Sequence, residues 1–235
     1  RVKLIEKDGL YFKDMDGTGE LKPYEDWRLT PEERAEDLAS RLSVEEIAGL
    51  MLYSAHQSIP SRGSRHFGVS TYGGKEFDES GAKSWELTDQ QKKFLKEDNV
   101  RHVLATTFES PEVAARWNNE MQAFCEGEGF SIPVNTSSDP RHGSVFSAEY
   151  NMGAGGDISL WPEPLGLATT FDPEVARRFG QVASQEYRAL GIATALSPQV
   201  DLATEPRWSR FMGTFGEGVE LDTDMARAYC DGFQT

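Results

Sequence analysis

Cysteine is scarce in this chain of 235 residues, which contains only two. So few cysteines give no sign of a disulfide framework or of a Cys-rich metal motif. Cys125 and Cys230 both lie in segments with helical patterns, where a thiol behaves as a small apolar side chain. Two buried free thiols are therefore favoured over a disulfide or a metal site.

Basic residues are outnumbered by acidic ones, and long apolar runs are absent from the sequence. The chain has 24 Lys and Arg against 39 Asp and Glu, a net charge of −15 and a pI of about 4.7. Such a surface repels phosphate backbones, so nucleic acid is not an expected partner. No apolar run is long enough to span a bilayer, so no membrane segment is expected. Residue 1 is Arg rather than Met, and we expect the N-terminus to have been trimmed by a signal peptidase or by cloning.

An acidic loop near the N-terminus is similar to the calcium-binding loop of an EF-hand. Its sequence is DMDGTGELKPYE, with acids at positions 1 and 3, a glycine at the turn position and a glutamate at position 12. The loop therefore predicts a structural Ca²⁺ site, although Pro23 precludes a helix through it. A solvated acidic turn without metal stays open as the alternative. The predicted ligands are Asp14, Asp16, Thr18, Glu20 and Glu25.

Helix and strand patterns alternate after residue 28. Thr30 and Ser43 are predicted to cap two helices, and residues 54–88 read as a long loop with little structure of its own. Alternation with short links is typical of a parallel sheet built from βα units, of which we count about four. Further helices are predicted over 89–97, 110–126, 172–190 and 221–233, and strands over 50–53, 100–107, 132–136 and 192–196.

Two predicted strands deliver polar side chains at their C-terminal ends. The stretch IPVNTSSDPRHG ends a short apolar run and places Asp139 just past the strand. A second stretch, IATALSPQVDLATEPRWSR, leads from a strand into a loop with acidic, basic and aromatic residues. Ligands in α/β folds are held just beyond strand C-termini, so these residues predict a site for a hydroxyl-rich ligand. The loop residues are Glu205, Arg207, Trp208 and Arg210.

Four segments, in order, resemble glycoside hydrolase family 3, the β-glucosidase and β-xylosidase family. They are DLASRLSVEEIAGLML, IPVNTSSDPRHG, WPEPLGLATTFDPEVARRFGQVASQEYRALGI and DLATEPRWSRFMGTFGE. The resemblance implies an α/β fold of the (β/α)₈ TIM-barrel type, with about the first half of the barrel in this chain. Residues 1–28 would then be an N-terminal extension with the calcium loop, and residues 29–235 the N-terminal portion of the barrel domain.

The resemblance also implies a function and a division of roles. The parent would be a retaining, exo-acting β-glycosidase that needs no cofactor for catalysis, located in the periplasm or secreted. Asp139 would bind sugar hydroxyls in the −1 subsite, and Arg210 would be the second sugar-binding residue. The nucleophilic Asp and the acid/base Glu are expected outside these 235 residues, so the chain alone is predicted to be inactive. His142 is expected to be a structural residue hydrogen-bonded behind the loop.

Two other functions remain open from the residues themselves. The chain could be a truncated barrel that binds carbohydrate without catalysis, or a different α/β enzyme, although it has no phosphate-loop signature. If the chain is part of a barrel, its last strand would have unpaired backbone N–H and C=O groups along one edge. We therefore expect partner polypeptide, either the remainder of the barrel with a second domain or another chain, and a β-linked oligosaccharide or glycoside as ligand.

Overall fold

The computed structural model describes residues 2–62, 70–139, 142–143 and 157–235. The chain folds as two compact units. The first comprises Arg1–His56, Ser61–Leu104 and Trp117–Asn135, and the second comprises Gln57–Pro60, Ala105–Arg116 and Thr136–Thr235. The boundary predicted between residues 28 and 29 stays a prediction. Among the described residues, no helix has the length and apolar character to cross a membrane.

A β-hairpin that the sequence did not predict opens the first unit. Strand β1 (Leu4–Lys7) pairs antiparallel with β2 (Leu10–Lys13). Asp8 and Gly9 join them with positive φ angles of 54° and 74°, which suits the right-handed twist of a two-residue hairpin turn. Phe12 fixes the hairpin to the unit because it is only 1% exposed.

The helices of the first unit begin at the predicted caps. Thr30 and Ser43 each accept a main-chain N–H bond from a glutamate three residues later, and that glutamate bonds back to the cap. Thr88 caps a later helix in the same way with Gln91. The elements are a 3₁₀ turn (Pro23–Glu25), α1 (Pro31–Arg41), α2 (Val44–Leu50), α3 (Phe77–Ser80) and α4 (Asp89–Lys96).

The strand predicted at residues 50–53 does not form over that range, and within it Tyr53 alone makes an isolated parallel bridge, to His102. Leu50 is the last residue of α2, because the capping box at Ser43 starts a helix that continues through it. Met51 and Leu52 are then 81% and 54% exposed rather than in the core. The strand comes later, at β3 (Gln57–Ile59), inside the stretch predicted as a long loop.

A four-stranded sheet forms the centre of the second unit. After β3 along the chain come β4 (His102–Phe108), β5 (Asn135–Ser138) and β6 (Thr194–Ala195). The strands lie in the order β3-β4-β5-β6, with parallel pairing of β3 with β4 and of β5 with β6. Four strands agree with the predicted count of βα units.

Strand β5 begins three residues later than the pattern predicts. Pro133 has no N–H to donate to a sheet, so the first ladder bond runs from Asn135 N to Arg101 O at 2.8 Å. The shift moves the strand end to Ser138, directly before Asp139.

Helices α7 (Pro173–Leu190) and α8 (Val219–Phe233) pack together. Their apolar faces share a core with buried Phe179, Phe215 and Tyr229. The ring of Tyr229 stacks on Phe233 with centroids 4.8 Å apart. This core holds the elements that carry the candidate site. The other helices that follow α4 are α5 (Pro111–Cys125) and α6 (Pro164–Ala168).

Candidate functional site

The site residues predicted from the sequence follow two neighbouring parallel strands. Ser138, the last residue of β5, pairs with Ala195 of β6, and Leu196 N donates to Ser138 O at 3.0 Å. Asp139 and the segment that leads to Arg210 therefore leave the sheet at the same edge. This is the edge where α/β folds hold their ligands.

Asp139 has a buried carboxylate oxygen without a partner. Its Oδ2 is inaccessible to solvent and accepts no hydrogen bond from the described residues. Its main-chain oxygen accepts a bond from the Tyr187 hydroxyl at 2.5 Å, which fixes the backbone at this residue. An unsatisfied buried acceptor costs free energy, and native structures keep such a group where a ligand or an ion completes it.

His142, expected from the sequence to be a structural residue, is only 1% exposed. Its Nε2 is 2.7 Å from Glu186 Oε2. The same carboxylate accepts a bond from Ser159 Oγ at 2.8 Å, and the Trp161 indole N–H donates to Ser159 Oγ at 3.1 Å. Trp161 N in turn donates to His142 O at 2.6 Å. The result is a closed polar network; Pro140 and Arg141, within the predicted stretch, lie outside the described residues.

The loop after β6 is held by a local ion pair. Arg207 Nε and Nη2 donate to the two carboxylate oxygens of Glu205, each at 2.7 Å, and Arg207 N donates to Oε1 at 2.9 Å. The hydrogen bonds from Arg207 hold the pKa of Glu205 at about 2. Arg207 is thus engaged by Glu205 within the loop. A cavity of about 510 Å³ lies against this loop, lined by Leu202, Thr204, Glu205, Arg207 and Trp208.

Arg210 lies in the same loop and is exposed. Its main-chain oxygen accepts a bond from Gly213 N at 3.0 Å, while its exposed guanidinium has no ion-pair partner in the described part of the chain. The segment that leads to Arg210 leaves β6 at the same end of the sheet as Asp139, and that the two side chains face one pocket stays a prediction.

The acidic loop near the N-terminus brings three of its five predicted ligands together. Carboxylate oxygens of Asp14, Asp16 and Glu25 lie within 4.8 Å of one another. The Glu20 carboxylate instead pairs with Lys22 Nζ at 2.7 Å. Thr18 Oγ1 accepts a bond from the Glu20 main-chain N–H at 3.3 Å. The loop therefore has the donor set of a hard-cation site, and occupancy by calcium stays a prediction.

Sequence reasoning missed Glu186, Tyr187 and Ser159 as site residues. Glu186 and Tyr187 lie near the end of α7, where the helical pattern alone marks them as ordinary surface and core positions. Their role depends on contacts with residues distant in the chain. The local signal that could have found them is the QEYRALGI segment, which the sequence analysis used only for its family resemblance.

Comparisons with known proteins identify the family to which the chain is similar. Residues 65–235 match the family model described as the N-terminal domain of glycosyl hydrolase family 3. A periplasmic β-glucosidase/β-xylosidase of Dickeya chrysanthemi is 42% identical over 232 residues, which are 98% of this chain and 33% of that protein. β-Glucosidase C of Emericella nidulans is 37% identical over 217 residues, 91% of this chain and 31% of that protein. The chain thus spans about a third of the length of these relatives.

A solved structure with the same fold comes from Listeria innocua. It is a β-glucosidase with a TM-score of 0.59 and 23% identity, and the match covers 87% of this chain and 24% of that one. At that identity the likeness establishes the fold alone. The fold is α/β and like a TIM barrel, and the four-stranded parallel sheet supplies half the strands that such a barrel contains.

Proposed function

Because this chain belongs to glycosyl hydrolase family 3, we propose that it is part of a retaining, exo-acting β-glycosidase. The enzyme removes β-linked glucose or xylose from the non-reducing end of a glycoside. The names of the relatives support this substrate class. The chain supplies the subsite that holds the terminal sugar, and no catalytic residue is assigned within it.

The observation that carries this proposal is the buried Oδ2 of Asp139, which has no hydrogen-bond partner among the described residues. A carboxylate accepts two hydroxyl bonds from one sugar ring, and a guanidinium donates several in a fixed fork. Asp139 therefore accepts hydrogen bonds from hydroxyls of the terminal sugar, and Arg210 donates to other oxygens of the same ring. Charge-assisted bonds of this kind are about twice as strong as neutral ones, so they orient the ring for attack at its anomeric carbon.

Retaining hydrolysis needs a second pair of groups. One carboxylate attacks as nucleophile, and another, about 5–5.5 Å away, protonates the leaving oxygen and then activates water. We assign both to polypeptide outside these 235 residues. No cofactor takes part in either step, because the two carboxyl groups supply the nucleophile and the proton.

Two measurements test this proposal. The 235-residue chain and the protein encoded by its gene are assayed on aryl β-glucoside and aryl β-xyloside. Turnover is expected from the longer protein alone, and activity in the isolated chain would overturn the assignment of roles. Calorimetry with glucose and cellobiose then compares the wild type with Asp139→Asn. The wild type should bind and the variant should bind at least about tenfold more weakly.

The alternative is a truncated barrel that binds carbohydrate without catalysis. It is favoured if the protein encoded by the gene binds glucose through Asp139 yet shows no turnover on any aryl glycoside tested. Loss of both binding and turnover would reject both functions, because each depends on the same sugar subsite.

We also propose that the protein is located in the periplasm or is secreted. The word periplasmic in the name of the Dickeya chrysanthemi relative supports this location. Fractionation of the native host with an antibody against the chain tests it, and recovery from the cytosolic fraction alone would contradict it.

We further propose a structural calcium ion in the loop from Asp14 to Glu25. The three clustered carboxylates provide hard oxygen ligands, and Gly19, at the turn position, has a φ of 74°. The hydroxyl of Tyr24 is buried without a partner among the described residues, and burial, together with the charges of Glu25 and Asp16, raises its pKa. A cation in the loop would offset the mutual repulsion of the carboxylates, and it takes no part in catalysis.

A further inference from the structure

Glu186 and Tyr187 are consecutive residues on α7, and each holds one side of the segment that carries Asp139. The Tyr187 hydroxyl donates to Asp139 O at 2.5 Å. The Glu186 carboxylate lies 2.7 Å from Nε2 of His142, three residues further along. We propose that this pair positions Asp139 for sugar binding; the inference rests on the proposed function and adds two positioning residues to it.

The contact with Tyr187 fixes the backbone of Asp139 itself. Tyr187 is 4% exposed, and its ring packs against Phe233 at 5.9 Å and against His142 at 5.2 Å. A ring held by two neighbours leaves its hydroxyl one direction, toward the Asp139 carbonyl. That carbonyl and the Asp139 side chain share one Cα, so this bond fixes the backbone position from which the carboxylate projects.

The contact with Glu186 fixes the other side of the segment. His142 is enclosed by aromatic rings, with Phe179 edge-on at 5.9 Å, so its imidazole has little room to turn. Glu186 also accepts bonds from Ser159 N and Ser159 Oγ, at 3.2 and 2.8 Å. The Glu186 carboxylate therefore links His142 to Ser159.

A second bond closes this arrangement around His142. Trp161 N donates to His142 O at 2.6 Å, and Trp161 forms a parallel bridge with Gly143. The side chain of His142 is thus held from α7 and its backbone from residue 161. The Asp139 carbonyl is held by Tyr187, so both Asp139 and His142 are fixed before a sugar binds. Preorganisation of this kind reduces the entropy lost on binding.

Helix α7 also connects this anchor to the second strand of the site. The helix ends at Leu190, and Ile192 N donates to Tyr187 O at 2.9 Å just before β6 begins. The same turn of helix that holds Asp139 therefore sets the start of the strand that leads to Arg210. This connection explains why two adjacent residues, and not scattered ones, carry the positioning role.

The test uses the protein encoded by the gene, with glucose in calorimetry and aryl β-glucoside in kinetics. Tyr187→Phe removes only the hydroxyl, and we expect about a fivefold loss of glucose affinity, the effect of one lost hydrogen bond. Glu186→Ala should lose more affinity, and Glu186→Gln should recover part of the loss, because its amide oxygen can still accept from the Ser159 hydroxyl. Gln185→Ala, at an exposed position on the same helix, is the matched control and should leave the affinity for glucose unchanged.

A double-mutant cycle separates positioning from general stability. If Tyr187 acts through Asp139, Tyr187→Phe should have no further effect on affinity in an Asp139→Asn background. Equal effects in both backgrounds, or an unchanged affinity in folded Tyr187→Phe and Glu186→Gln, would overturn the inference. If Asp139→Asn itself binds glucose as the wild type does, the proposed function fails instead. Thermal unfolding of each variant shows which ones are folded.

Discussion

Gly232 of α8 touches the main chain of α7 at Arg177. A Cβ built at residue 232 would lie 2.2 Å from the Arg177 carbonyl oxygen, and one built at Gly180 would lie 2.7 Å from Tyr229 O. Two glycines facing each other's helix let the two backbones approach closely. The close approach in turn buries the aromatic residues that support the site.

We predict that Gly232→Ala destabilises the protein. Alanine favours a helix over glycine by about 1 kcal/mol, but overpacking against a rigid backbone costs about 1–3 kcal/mol, and the overlap here is severe. The cost of the clash should exceed the gain in helix propensity. Chemical denaturation should therefore show a lower denaturant midpoint for the variant than for the wild type. Gly218→Ala is the control, because a Cβ there meets nothing within 4 Å. A Gly232→Ala variant as stable as the wild type would mean that the helices lie further apart.

A second prediction concerns calcium. If the loop from Asp14 to Glu25 binds Ca²⁺, calcium at about 100 times its Kd should stabilise the fold by about 2.7 kcal/mol. The melting temperature should rise with calcium and fall again with a chelator. Asp16→Asn should reduce this response, since Asp16 is one of the three clustered carboxylates.

Glu20→Gln is the matched control for calcium. Position 7 of an EF-hand loop binds through its main-chain oxygen, which this substitution keeps. The calcium response should therefore persist in Glu20→Gln, whose carboxylate pairs with Lys22. No change in melting temperature on adding calcium to the wild type would support the solvated-turn alternative.

The local features of this fold could be predicted from the sequence. Thr30 and Glu33 are three residues apart, so their capping box can be recognised without knowing the rest of the structure. The start of β5 was misplaced because Pro133 removes a ladder donor within an otherwise apolar run. Asp139 and His142 could be singled out as candidates because they lie within one short stretch.

The support of the site could not be predicted in the same way. Tyr187 and Asp139 are 48 residues apart, and their contact exists only once α7 packs behind β5. Glu186 looks like any exposed helical acid until His142 is placed beside it. Sequence patterns report which residues share a face, whereas the partner of a given carboxylate is decided by tertiary packing.

The ion pair between Glu205 and Arg207 gives a prediction about pH. The pKa of Glu205 is lowered from its usual 4.5 to about 2 by the bonds from Arg207. A depressed carboxyl pKa contributes stability above the unfolded value, and this is lost as the pH falls from about 4.5 to about 2. A carboxyl titration followed by NMR should give a midpoint near 2 for Glu205. Arg207→Gln should move that midpoint back toward 4.5, and an unchanged midpoint would show that the pair does not form in solution.

The last prediction tests whether Asp139 and Arg210 hold one sugar ring. Asp139 and the segment that leads to Arg210 leave the same end of the sheet, and among the described residues neither Asp139 Oδ2 nor the Arg210 guanidinium has a polar partner. If both bind the same ring, Asp139→Asn and Arg210→Ala should show a coupling energy of at least about 0.5 kcal/mol in glucose affinity. Loss of either contact lets the ring tilt, so the second contact is already weakened when it is removed. Arg207→Ala is the control: its guanidinium is engaged by Glu205, so its effect should add to that of Asp139→Asn. Strict additivity for Asp139 and Arg210 would mean that the two residues do not share a sugar.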